Sequence, residues 1–189
     1  MKLTFFGKFC AAFSLLACTI SVVAEDTPAA VTALIPVIAK WGENPVLIAA
    51  VKEQNAKNVT LEQIQKRDKE WMATTGLDDG MKAIMKSPAA KELEKLEATQ
   101  TYFFESFLMD QLGANVAMTN KTSDYWQGDE PKFMNAYKAG TGGTDIGKSK
   151  FDDSAKAYLI QISVPVKEGS KVIGAITVGI NLDELDKAK

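Results

Sequence analysis

The sequence predicts an α+β fold in which helices come first and a central antiparallel sheet follows. Two observations carry this. Up to about residue 100, apolar residues recur at three- and four-residue spacing behind helix-start signals. Beyond it the period shortens to two and the runs turn β-branched and aromatic. Ala157 to Val166 and Lys171 to Ile180 are the clearest strands, joined by a turn around Glu168-Gly169-Ser170.

Each element has its own signal. Val31, Leu34, Ile35 and Ile38 keep helical spacing, interrupted by Pro36. Asn44-Pro45 reads as an N-cap with proline at N1, and Val46, Leu47, Ala50 and Val51 form the stripe behind it. Thr60 and Gln63 make a capping box for a helix with Leu61, Ile64 and Trp71 on one face. Ser87-Pro88 repeats the cap before Leu93 and Leu96. Thr101 to Met109 reads as a strand, Asp110 to Gly113 as a turn and Ala114 to Thr119 as the returning strand. Pro131 to Tyr137 suggests a short helix, Gly140 to Gly147 a loop, and Asn181 the cap of a terminal helix. Such a chain opens with long helices.

The first 24 of the 189 residues read as a secretory signal. Lys2 and Lys8 give a positive start, Phe9 to Val23 an apolar run, and Val22-Val23-Ala24 a small-residue cleavage site. Leu15-Leu16-Ala17-Cys18 offers the rival of lipoprotein anchoring through Cys18, but the apolar run continues past it. Residues 25–189 then form a single domain, periplasmic or secreted. Both cysteines, Cys10 and Cys18, fall in the leader, so the remainder must fold on its core without disulfides.

Composition narrows the chemistry. With no histidine there is no Ser-His or Cys-His nucleophile pair and no His-ligated zinc. Arg67 is the only arginine, so a guanidinium clamp has one source. A net charge of -2, becoming -4 without the leader, gives no basic surface for nucleic acid. No acid pair stands out for hydrolysis. The expectation is a protein that is not an enzyme, with no cofactor and no metal.

Gly142, Gly147, Lys148 and Ser149 fit the phosphate-loop pattern letter for letter. That chemistry needs a strand before the loop and a helix after it. Here a helix precedes and a polar stretch follows, so a plain glycine loop is the better reading. Asp68 stands where Leu61, Ile64 and Trp71 call for an apolar side chain. It either bonds a backbone amide or lysine, or touches a ligand. Thr122 to Glu130 gathers Asp124, Tyr125, Trp126, Asp129 and Glu130. That set suits a small-ligand pocket, with a plugged sheet edge as the alternative and a calcium loop disfavoured by its spacing. Along the later strand Tyr158 alternates with Ile160, Ile162 and Val164, and so would face inward, whereas Gln161 and Ser163 share the other parity. Lys156 beside it would meet a ligand carboxylate. Asn58-Val59-Thr60 and Asn120-Lys121-Thr122 fit the glycosylation pattern, which has meaning only in a eukaryotic secretory route.

The run Phe104 to Asp110 followed by Gly113-Ala114-Asn115-Val116-Ala117 resembles the central hairpin of Cache domains, the PAS-like extracellular sensors of bacteria. Ser123 to Glu130 is similar to the segment that follows, and Ser163-Val164-Pro165-Val166 with Val172-Ile173-Gly174-Ala175 to the closing strand pair. The resemblance spans essentially all of the chain after the leader. It implies a PAS-like sheet with a long N-terminal helix and a pocket between the sheet and the Asp124–Lys156 region. Such pockets take small carboxylates, amino acids or related metabolites. The arginine-centred amino-acid motif of many members is absent.

The expected function is therefore a periplasmic sensor-like domain recognising a small metabolite through Tyr125, Trp126, Lys156, Tyr158 and Asp68. It would pass the signal to a membrane sensor kinase or chemoreceptor. The alternative is a ligand-free interaction domain that forms a homodimer through its N-terminal helix.

Overall fold

The computed structural model describes residues 27–153 and 155–188, so the leader and its cysteines lie outside the described residues. Six helices precede the first strand: α1 Ala29–Thr32, α2 Ile35–Trp41, α3 Pro45–Ala56, α4 Leu61–Ala73, α5 Asp79–Met85 and α6 Pro88–Glu97. Then follow β1 Phe103–Met109, β2 Asn115–Met118, α7 Pro131–Tyr137, β3 Asp145–Ile146, β4 Lys150–Asp152, β5 Ala157–Glu168, β6 Lys171–Asn181 and α8 Leu182–Lys187. The architecture is the expected α+β one.

The caps act as their residue types dictate. The Asn44, Thr60, Asp78, Ser87 and Asn181 side chains each accept an amide in the first turn of the helix that follows. Thr60 and Gln63 form the reciprocal capping box. Among the described residues the N-terminal layer is a series of shorter helices rather than the one long helix expected. The chain breaks before Pro36, at N2 of α2, and again at Gly42–Asn44, and α4, with 13 residues, is the longest helix among the described residues. Gly42 fits that second break because a Cβ there would stand 2.2 Å from the Pro165 carbonyl oxygen. Among the described residues no single helix is long and apolar enough to cross a membrane, although α1–α2 and α3 would pass as a pair bent by 66°.

All strand pairs are antiparallel, in the order β2-β1-β6-β5-β3, with β4 also on β5. β3 pairs Asp145 with Ser163, and β4 pairs Lys150 with Leu159, so the two short pieces share one edge of β5. The β1–β2 connection is closed by Asp110, whose carboxylate accepts the amides of Leu112 and Ala114 at 2.8 and 3.0 Å. There Gly113 has φ +86°, and a Cβ would lie 2.5 Å from Gly128 Cα. Two segments of backbone cross at this point.

The two faces of the sheet are covered differently. Ile160, Ile162, Val164 and Val166 of β5 and Ile176, Val178 and Ile180 of β6 meet Ile38, Leu47, Val51 and Leu93 of the N-terminal helices in the main core. On the opposite face a smaller core joins Phe107, Met109 and Ala175 to Trp71 of α4, Met81 of α5, and Phe133 and Ala136 of α7. That second layer covers only part of the sheet.

Candidate functional site

A cavity of about 600 Å³ opens on the face left partly uncovered. Its floor is the sheet: Glu105 and Phe107 from β1, and Gln161 from β5. Lys132 of α7, Asp152 of β4 and the Asn120–Ser123 stretch with Gln127 make its walls. This lies between the sheet and the Asp124–Lys156 region, but different side chains line it.

Strand register produces the floor. Glu105 pairs with Gly179 on β6, and Gly179 pairs with Gln161 on β5. The three positions therefore stand in a row across three strands, on one face. Because Gly179 has no side chain, Glu105 leans over it; a Cβ there would stand 2.6 Å from Glu105 Cγ. Gln161 Nε2 then donates to Glu105 Oε1 at 2.9 Å across the gap. Deeper on this face Ser163 and Thr177, both fully buried, share a hydroxyl hydrogen bond of 2.8 Å.

The walls carry charge and amides. The Lys132 side chain is 19% exposed, pairs with Glu130 at 3.0 Å and holds its ammonium 5.4 Å above the Phe107 ring. Lys121 also lines the cavity, but its ammonium donates to the carbonyls of Thr74 and Gly76 at the end of α4, where the helix dipole favours a cation. Gln127, 1% exposed, donates Nε2 to the Asp124 carbonyl, while its Oε1 has no partner among the described residues. Among the described residues no cluster of acidic or sulfur side chains has the makings of a metal site.

None of the five residues singled out from sequence lines this cavity. Asp68, Tyr125 and Trp126 do come together. Asp68 Oδ1 accepts the backbone amides of Tyr125 and Trp126 at 2.8 and 3.0 Å, the first of its two readings. It thereby latches α4 to the segment whose neighbouring residues Thr122, Ser123 and Gln127 form the rim. Tyr125 packs on Trp71 with ring centroids 5.5 Å apart. Trp126 Nε1 donates to the Leu112 carbonyl. These aromatics build the rim from behind.

Lys156 and Tyr158 are elsewhere. Lys156 has φ +51°, is 74% exposed in its side chain and pairs with Asp153 at 3.2 Å. Tyr158 is 53% exposed, not inward-facing as expected, and rests edge-on against Phe151. Its parity does match Ile160, but at this end of β5 the side chain lies exposed beside its β4 partner Phe151. The lone arginine is also committed: one Arg67 nitrogen donates to both Asp78 oxygens at 2.8 and 2.7 Å. The Gly142–Ser149 segment leaves α7 by way of a 3₁₀ turn and runs into β4, so the strand-loop-helix order of a phosphate loop is missing.

Sequence reasoning passed over Glu105, Lys132 and Gly179. The available signal was a carboxylate inside an apolar strand together with a glycine inside another. Only the register shows that they are neighbours.

No protein-family model matches the chain, and no curated protein matches it in sequence. Solved structures do match in shape. The sensor domain of the V. cholerae histidine kinase DctB aligns over 84% of this chain and 52% of its own, at 12% identity and a TM-score of 0.48. The sensory domain of the Campylobacter jejuni chemoreceptor Tlp3 with isoleucine bound aligns over 85% and 66%, at 16% identity and a TM-score of 0.40. The ligand-binding domain of the Pseudomonas aeruginosa amino acid chemoreceptor PctC in complex with GABA aligns over 82% and 63%, at 12% identity and a TM-score of 0.38. The chain thus spans between about half and two thirds of the length of these domains.

Proposed function

We propose that this chain is a periplasmic sensor-like domain that binds a small carboxylate or amino-acid-like metabolite in the Glu105–Lys132–Gln161 cavity. Occupancy would be passed to a membrane sensor kinase or chemoreceptor. The observation that supports this most is the row Glu105, Gly179 and Gln161. A carboxylate and an amide occupy a sheet face beside a cavity, with space cleared by a glycine. A ligand carboxylate would take the Lys132 ammonium from Glu130, and a ligand amine would find Glu105 and the Gln127 carbonyl. Apolar contact with Phe107 would complete the enclosure. The resemblance to Cache domains points the same way.

The test is a melting-temperature screen of residues 25–189 against amino acids and small mono- and dicarboxylates. A ligand at one hundred times its Kd stabilises the native state by about 2.7 kcal/mol. Lys132→Met and Gln161→Leu should each abolish the shift. A panel without any shift, or a shift that survives both substitutions, overturns the reading. Sedimentation of the same sample tests the alternative of a dimer joined through the N-terminal helices.

A further inference from the structure

Asn115 to Gln127 has a cavity on each side. Behind the first one, a groove of about 680 Å³ runs between α3 and the α5–α6 junction. Ala49 and Ala50 of α3 face Ile84 and Pro88 across it, and Asn115 and Tyr125 lie at its floor. Its size comes from the small residues on α3, and its walls are largely apolar. The rim charges Glu53 and Lys57 are 77% and 55% exposed in their side chains, so both stand in solvent rather than as desolvated counter-ions inside the groove.

The floor is polar. Asn115 is 1% exposed. Its Nδ2 donates to Thr122 Oγ1 at 2.7 Å and to the Asp124 carbonyl at 3.1 Å, and its Oδ1 has no partner among the described residues. Turning the amide over would not help, because Oδ1 would then face the Asp124 carbonyl, another acceptor. The buried amide is therefore fixed in orientation, and no protein donor among the described residues meets its acceptor, a group that costs about 1–3 kcal/mol to leave unmet. Tyr125 beside it is held as a neutral phenol, since burial and the nearby Asp110 carboxylate both raise its pKa above the usual 10.

We propose that this groove is a second ligand site, for an uncharged small molecule with an apolar body and one O–H or N–H donor. The donor meets the Asn115 carbonyl, the body lies along Ala49, Ala50, Ile84 and Pro88, and the Tyr125 hydroxyl closes the polar end. The apolar walls offer a charged metabolite no buried counter-ion, so the two cavities select different chemistries.

Phenol and its methyl ether anisole, nearly the same in shape but differing in the donor, are the probes. Each is titrated into ¹⁵N-labelled residues 25–189 and followed by NMR. Phenol should shift the Asn115 side-chain and Tyr125 amide signals, and anisole should bind at least tenfold more weakly. Ala49→Trp, made on an exposed flank of α3, fills the groove and should abolish phenol binding. Tyr125→Phe should weaken it severalfold. Equal binding of the two probes overturns the proposal even if Ala49→Trp does not fold. So does phenol binding that persists in folded Ala49→Trp, or phenol shifts confined to Glu105, Lys132 and Gln161.

Discussion

The same three strands present two unlike surfaces. Toward the N-terminal helices, β5 and β6 contribute Ile160, Ile162, Val164, Ile176, Val178 and Ile180, none more than 3% exposed. One residue along, the other face carries Gln161 and Ser163, Thr177 and Gly179, with Glu105 from β1. The first surface gains stability from apolar area removed from water. The second keeps polar groups at little cost because they satisfy one another, Ser163 with Thr177 and Gln161 with Glu105. Apolar packing and the polar floor of the cavity are thus separated by the two-residue period of a strand. Substitutions on either side should behave accordingly.

The largest effect belongs to the helix-facing side. Ile176→Ala empties a fully buried position among Leu108, Val164 and the helices, and should cost about 2–5 kcal/mol. Urea unfolding would show a lower midpoint at unchanged slope. A loss below about 1 kcal/mol would mean that this face is not the main core.

A matched pair of glycines sharpens the contrast. Gly174 lies on the helix-facing side, and a Cβ there would stand 2.2 Å from the Met109 carbonyl oxygen and 3.0 Å from Val51. Backbone cannot step aside, so Gly174→Ala should cost roughly 1–3 kcal/mol. Gly179→Ala meets only the flexible Glu105 side chain and should cost under about 1 kcal/mol. It should nevertheless weaken ligand binding, because it displaces the cavity floor. If both glycines tolerate alanine equally, the distinction between the faces fails.

Asp68→Ala tests the latch that holds the rim. It leaves the amides of Tyr125 and Trp126 without their acceptor and should cost about 1–2 kcal/mol. Amide exchange in residues 122–127 should quicken more than in β5 or β6. Uniform exchange would show that Asp68 does not hold this segment.

How much of this was legible from sequence follows the same divide. The helix-facing strands announce themselves, since Ile160, Ile162 and Val164 alternate without exception, and the caps at Asn44, Thr60 and Ser87 are local signals read within four residues. Helix α5 was missed because Asp78 caps only seven residues with a single buried apolar side chain, Met81. β3 and β4 were missed because two or three residues show no period. The cavity was hidden for a different reason. Glu105, Gly179 and Gln161 are separated by 74 and 18 residues in sequence, and neither the residue types nor the spacing reveals that three strands line them up. Asp68 was legible as an anomaly, but its partners are backbone amides, which no residue type betrays.

The smallest effect concerns a charge on the helix side. Glu97, at the end of α6, is part-buried and accepts hydrogen bonds from the hydroxyls of Ser106 and Thr119. Burial raises its pKa above the ordinary 4.5; the two hydroxyls work against that, and the nearby Glu105 adds to it. The sign follows directly. As pH climbs past the ordinary carboxylate value the unfolded chain releases this proton first, so the native state binds more protons and stability falls until the raised pKa is passed. Asp110 acts in the same direction through its own burial. Asp78, held down chiefly by the Met81 amide and Arg67, acts in the opposite one, as does Glu92 through Asn44. Only the difference between variant and parent therefore isolates Glu97. Glu97→Gln keeps an oxygen for both hydroxyls and removes the titration. Its stability, followed by urea midpoint from pH 4 to 8, should fall less steeply with rising pH than the parent's. Parallel curves would mean that this carboxylate ionises as freely in the folded chain as in the unfolded one.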